Sequence, residues 1–292
     1  MKKTFTLITP AIAILFCSCS VNHYMYAPSA PQSPMLNSKG EMSLTGLLTT
    51  GLHARDTGYN NGYDVQGAYA ISNHLAITAA FSQRHEKDKY WHNGWFTPQY
   101  NAQLWYERST TELGMGYFTS IDSDDEVFFD LYGGYGFGKY RMHEQGDATG
   151  TVADRYHTSS VGKFFLQPGV HFNVSEMSQI SLSLRFSTVN YHAIKSDYTK
   201  DQETTFNMYS LRNTVYTYAD PCFALRLWVP RSPWIKLETQ FSVGIKLTKQ
   251  ILYYRSANLS MGLSFDLSKL SAHNNYKPKK SRRKPASFDS RL

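Results

Sequence analysis

The sequence predicts an all-β chain closed into a single antiparallel, up-and-down transmembrane β-barrel of about ten strands, with eight or twelve as alternatives. Three observations carry this expectation. Apolar and polar residues alternate strictly along several long stretches, the period-two signature of a strand with one apolar and one polar face. Most of these stretches reach the ~9–11 residues of a membrane-crossing strand, whereas an average soluble strand has ~5–6. The connections alternate between short and long, as in barrels with tight turns at one membrane face.

The bulk numbers agree. Of 292 residues, 41% are hydrophobic, 15% aromatic and only 18% charged, below the ~25% charged of an average soluble domain. No stretch after residue 20 approaches the ~18 uninterrupted apolar residues of a membrane helix. A secreted β-sandwich shares this composition, but its strands should be shorter and its turns less unequal. The net charge of +7 gathers at the chain ends, in Lys2 and Lys3 and in "KPKKSRRK" at 277–284. It forms no groove-lining patch, which argues against a nucleic-acid partner.

Residues 1–18 read as a lipoprotein signal peptide: a positive start, an apolar stretch and a small residue before a cysteine. In "FCSC", Ser18 supplies the small residue before Cys19, whereas bulky Phe16 precedes Cys17. Cys19 is therefore the expected lipidation site, carrying palmitate-type chains that tie the protein to outer-membrane lipid. A redox or metal role for the C-x-C pair lacks partners, and Cys222 alone supports no disulfide framework. Residues 19–38 hold Pro28, Pro31 and Pro34 and read as an extended tether, not a core element.

The barrel is expected over 39–270. "WIKLETQFSVGIKL" (234–247), "SANLSMGLSFDLS" (256–268), "EMSLTGLLTTGLHA" (41–54) and "SQISLSLRF" (178–186) alternate clearly. Softer strands fall at 62–71, 74–86, 109–120, 126–141, 161–174 and 218–229. The long connections are 55–61, 87–108, 142–160, 187–217 and 248–255. An even strand number returns both barrel ends to the periplasmic side, where the lipidated N-terminus and a basic disordered tail at 271–292 are expected, with the longer loops extracellular.

The apolar faces should meet lipid and the polar faces the lumen. Lumen candidates are Glu41, Asp64, Gln66, Arg84, Glu112, Asp130, Gln167, His171, Arg185, Arg226, Lys236, Glu238 and Asp266. Both charge signs are present, and a barrel this narrow is filled by side chains, so they read as a paired internal network in preference to a pore lining. Tyr63, Tyr117, Tyr140, Tyr218, Trp228 and Trp234 suit interfacial girdles.

No hydrolase elbow, phosphate loop or zinc motif is present, and no catalytic residue, metal or cofactor is expected. "GGYGFGKY" (133–140) superficially resembles a phosphate loop, but no helix follows it, so its glycines serve bending or close packing. Glu86, Asp88 and His92 could supply acid and base at the outer rim, as in an omptin-like protease, although no motif carries over residue by residue. Trp91, Trp95 and Trp105 are candidates for contact with a glycan or a protein partner.

The stretch 24–51, followed by "YDVQGAYAISNHLAITAAFS" (63–82), resembles a group of Bacteroidota outer-membrane barrel lipoproteins of uncharacterised function. The resemblance lies in the lipobox, the Pro-rich segment, and Leu36, Gly40, Glu41, Ala68, Tyr69, Ala70 and His74. It implies an outer-membrane lipoprotein barrel and no activity. The expected function is a non-enzymatic scaffold or accessory subunit of an envelope complex for secretion or nutrient import. A small diffusion channel is the alternative, and a surface hydrolase the third reading.

Overall fold

The computed structural model describes residues 23–51, 58–92, 100–147, 152–175, 177–229 and 232–268. The strands are β1 (Met42–Gly51), β2 (Tyr59–Ala70), β3 (Leu75–His92), β4 (Tyr100–Ser120), β5 (Val127–Asp147), β6 (Val152–Ser175), β7 (Ser178–Ser196), β8 (Tyr216–Val229), β9 (Ser232–Val243), β10 (Ile245–Lys246) and β11 (Ala257–Asp266). Each strand pairs antiparallel with its neighbour from β1 to β8. β9 bridges β8 and β11, and β11 pairs with β1, closing the cylinder. β10 continues β9 past Gly244 and pairs with β8, so eleven segments make ten staves. No described helix is long and apolar enough to cross a membrane.

Burial is inverted relative to a water-soluble protein. Leu48, Met115, Phe164 and Leu113 stand outward, 74%, 71%, 64% and 56% exposed, while Arg185, Arg226 and Glu238 are 2% or less. Alternation on β9 and β11 sends Leu237, Phe241, Met261 and Leu263 out and Lys236, Glu238, Ser260 and Ser264 in. Only a lipid surround makes that arrangement favourable, and closure leaves no unpaired strand edge in it.

Above the apolar band the polarity reverses. Strands β3 to β7 run for 18, 21, 21, 24 and 19 residues, well past the ~9–11 that a bilayer requires. Much of the expected loops 87–108, 142–160 and 187–217 is therefore strand. In these projecting hairpins the outward residues are polar (Glu107, Lys139, Arg141), and the inward ones form an apolar core of Leu104, Tyr106, Tyr140, Met142, Val189 and Tyr191. Tyr140 and Tyr218, expected in a girdle, point into this core at 1% and 0% exposure, whereas Tyr63 and Tyr117 do face outward.

Between β7 and β8 the chain forms helix α1 (Lys200–Thr205), capped by Thr199 and Gln202 exchanging side-chain and backbone bonds, then a 3-10 helix (Tyr209–Arg212). Phe206, at the end of α1, lies on His23 with ring centroids 3.9 Å apart. These elements cover the long-loop mouth.

The Pro-rich segment corrects the tether reading. Residues 24–34 are extended, as their prolines dictate, but the segment through Leu36 runs inside the barrel: Met25, Tyr26, Ala30, Gln32, Ser33, Met35 and Leu36 are all buried. The segment meets β1 at the short-turn end, and His23 lies at the long-loop end beside Glu144 and Tyr198. The described N-terminal end is thus on the opposite side from the one expected. A segment short of donors fits there because the lumen wall is rich in donors and its own carbonyls accept them.

Candidate functional site in the barrel lumen

Three tiers of charged side chains line the lumen, and each grips the threaded segment. The first is nearest the long-loop end. Arg255 donates to Glu86 and Asp88, both at 2.8 Å, and Arg108 pairs with Glu86 and donates to the Tyr24 carbonyl. The Arg255 guanidinium lies 3.7 Å over the Tyr24 ring. Tyr140 and Tyr191 donate to the carbonyls of Tyr24 and Met25 at 3.0 and 2.8 Å.

The second tier centres on Glu112, which accepts Lys163 and Arg185, each at 2.8 Å. Arg185 also donates to Gln167, whose amide turns to the Gln32 carbonyl, and Gln66 donates to the Ala30 carbonyl at 3.0 Å. Tyr26 stacks on Tyr218, centroids 3.8 Å apart, and donates to Asp220 at 3.2 Å. On the opposite wall Arg84 and Thr49 converge on Asp64 at 2.7 and 2.6 Å. A Cβ on Gly134 would meet the Leu113 carbonyl at 2.2 Å and Phe165 at 2.8 Å, so close packing is what the glycine-rich stretch of β5 serves.

In the third tier Arg226 donates to Glu238 at 2.7 Å and to the carbonyls of Ser33 and Pro34 at 2.7 and 2.8 Å. Below it Leu36 packs with Ala68, Ala70, Ala76, Phe118 and Tyr132, an apolar seal at the short-turn end. Met35, with φ of 50°, makes the bend that delivers Leu36 to this pocket. His171 lies between Asp130 and Asn37 at 3.2 and 3.3 Å. Glu41 accepts from the Asn37 backbone and Ser38 hydroxyl at 2.8 and 3.1 Å. A cavity of about 530 Å³ opens at this mouth, bordered by Glu41, Trp228, Lys236 and Asp266; Lys236 is 3.9 Å from Asp266.

At the long-loop mouth, burial and the adjacent Glu144 carboxylate raise the Tyr198 hydroxyl well above the usual phenol range, so it stays a donor. At the short-turn end the Val127 and Glu126 amides hold the exposed Asp122 carboxyl below its usual range.

The family model for the outer membrane protein beta-barrel domain matches residues 24–212, from the first residues inside the lumen through the 3-10 helix. The chain belongs to this family. Among solved structures of outer-membrane barrels, it is similar to the translocator domain of the autotransporter NalP from Neisseria meningitidis, at 13% identity over 80% of this chain and 90% of that one, TM-score 0.44. It is also similar to an outer membrane channel from Pseudomonas putida F1, at 9% identity over 82% and 99%, TM-score 0.43. A third is the attachment invasion locus protein Ail of Yersinia pestis, at 12% identity over 79% and 100%, TM-score 0.29. No curated protein matches the chain.

In this outer-membrane barrel every lumen candidate from the sequence faces inward. Asp64, Arg84, Glu112, Asp130, His171, Arg185, Arg226, Lys236 and Glu238 are buried, and Glu41 sits half-buried at the short-turn mouth. Lys163, Arg108 and Arg255 complete the tiers without having been singled out, and Glu86 and Asp88, read from the sequence as rim acids, are lumen members of the first tier. Strand parity marks Lys163, two and four residues along β6 from Phe165 and Gln167, whereas the others lie above the apolar band, where alternation of hydrophobicity no longer signals a face. Trp105 stands on the outer wall of the projecting hairpins, stacked on His143 at 5.0 Å with the Lys87 ammonium 4.5 Å over its ring. Trp95 and the side chains of Trp91 and His92 lie outside the described residues, as do Cys19 and the tail 271–292. Among the described residues no three His, Cys, Asp or Glu side chains gather as a metal site.

Proposed function

We propose that this outer-membrane barrel is a sealed, non-enzymatic lipoprotein, anchored through Cys19, that acts as a scaffold or accessory subunit of an envelope complex in secretion or nutrient import. The observation that carries the reading is the occupied lumen. Carbonyls of Tyr24, Met25, Ala30, Gln32, Ser33 and Pro34 are each bonded by a lumen side chain, so the space a solute would use holds the chain itself. A barrel that does not conduct offers its surface instead, and the projecting hairpins, with Trp105 on their outer wall, are where a protein partner has the most to hold. Long hairpins at one end and tight turns at the other favour extracellular hairpins and periplasmic turns.

The hydrolase reading loses its acids. Glu86 and Asp88 are committed to Arg108 and Arg255 and face the lumen. The channel reading keeps one supporting observation, the cavity at the short-turn mouth.

Planar-bilayer recording separates the two. The full chain is expected to give no unitary conductance, and a steady open channel would favour the second reading. Isolation from native membranes should bring envelope proteins with the barrel at fixed stoichiometry; a barrel that purifies alone removes the subunit role.

A further inference from the structure

The threaded segment determines where the chain before it can go. The Tyr24 carbonyl sits beside Tyr140, three residues along β5 from Phe137, the last outward apolar side chain of that strand before Lys139 and Arg141. A tilted strand climbs ~2.5 Å along the barrel axis per residue, so Tyr24 lies ~8 Å beyond the apolar band on the long-loop side. Residue 19 is five residues further on, a reach of at most ~17 Å. The near bilayer surface is within that reach. The other surface lies a further ~25 Å away, the height of the apolar band itself. The direct way back through the lumen is filled by the segment.

We infer that the mature N-terminus leaves the barrel at the long-loop mouth, and that the acyl chains on Cys19 insert in the outer leaflet on the cell-surface side. This rests on the lipidation proposed above, and it moves the anchor from the periplasmic leaflet to the opposite one. The two ends of the chain then lie on opposite sides of the membrane. The last described residues follow β11 at the short-turn mouth, and His23 lies under Phe206 and Tyr198 at the other. A partner that reads the N-terminus meets it outside the cell, and one that reads the basic tail meets it in the periplasm.

The test adds one cysteine at a time to the full chain carrying Cys222→Ser, produced in a bacterium that makes it. Asn22→Cys reports on the residue before the threaded segment, Asp201→Cys on the exposed helix of the long-loop end, and Asp124→Cys on an exposed short turn. A membrane-impermeant maleimide is applied to intact and to lysed cells, and heat-modifiable mobility verifies that each variant is a folded barrel. The expected result is labelling of Asn22→Cys in intact cells to the extent of Asp201→Cys, with Asp124→Cys labelled only after lysis. Labelling of Asn22→Cys only after lysis would overturn the inference. The mass of the N-terminal peptide of the unaltered protein tests lipidation separately. An unlipidated peptide beside surface labelling ends the outer-leaflet anchor and the lipidation reading together, leaving only the surface exit.

Discussion

Arg226 reaches across the lumen to the Pro34 carbonyl at 2.8 Å while the same guanidinium pairs with Glu238 at 2.7 Å. One side chain thereby neutralises a buried acid and fastens the threaded segment to the wall. Arg226→Met removes both functions and leaves Glu238, fully buried, without its cation. Removing one partner of such a pair costs about 3–5 kcal/mol. The expected outcome is a lower midpoint of heat-modifiable unfolding and intermittent conductance in planar bilayers, where the unaltered chain is silent.

Tyr26 and Tyr218 provide a second fastening. Tyr26→Ala removes a buried aromatic stack, a change worth about 3–5 kcal/mol in a packed interior. Cys222, a buried free cysteine on β8, is a native reporter. In the folded protein it should resist small maleimides, and in Tyr26→Ala it should react at a measurable rate as the segment loosens. Unchanged reactivity would mean that the segment holds without this stack.

Glu112 is shared by Lys163 and Arg185. Glu112→Gln keeps the shape and strands two buried cations, so it should destabilise the barrel more than Lys163→Met, which leaves Arg185 to balance the acid. Comparing the urea midpoints of the two variants in detergent micelles checks the order.

The short turn between β4 and β5 is fastened by Asp122, whose carboxylate accepts the Val127 and Glu126 amides. Because its folded pKa lies below the usual value, its contribution is present above the ordinary carboxylate range and lost as pH falls through the lowered value. Asp122→Ala should speed hydrogen exchange at the Glu126 and Val127 amides at neutral pH. The unaltered protein should lose the same protection, taken relative to intrinsic exchange at each pH, only on strong acidification.

The ten staves were legible because lipid on one side and charge on the other impose a period of two, as at Leu237, Glu238, Thr239, Gln240 and Phe241. Legibility ended where the membrane does. Beyond Phe137 water lies outside and an apolar core inside, so Tyr140 sits inward where its place near a strand end suggested a girdle, and Met142 is a core strand residue where a loop was expected. The lumen charges followed from the same parity, including Glu112, Arg185, Arg226 and Glu238. The threaded segment did not, because proline-rich sequence has the same composition in a solvated linker as in a donor-lined lumen. The discriminating fact was non-local: donors on β2, β4, β6 and β8 match carbonyls between residues 24 and 34.

The Leu36 seal has a consequence for the order of assembly. β1 and β11 join residues more than two hundred positions apart, Leu44 to Phe265 among them, and the segment preceding β1 is wedged between Leu36 at one end and the tyrosine core at the other. Once that seam has zipped, the chain's beginning can no longer enter without breaking the ion-pair tiers. Residues 24–36 must therefore be in position when the last strand arrives, and the sheet closes around them as around a mandrel.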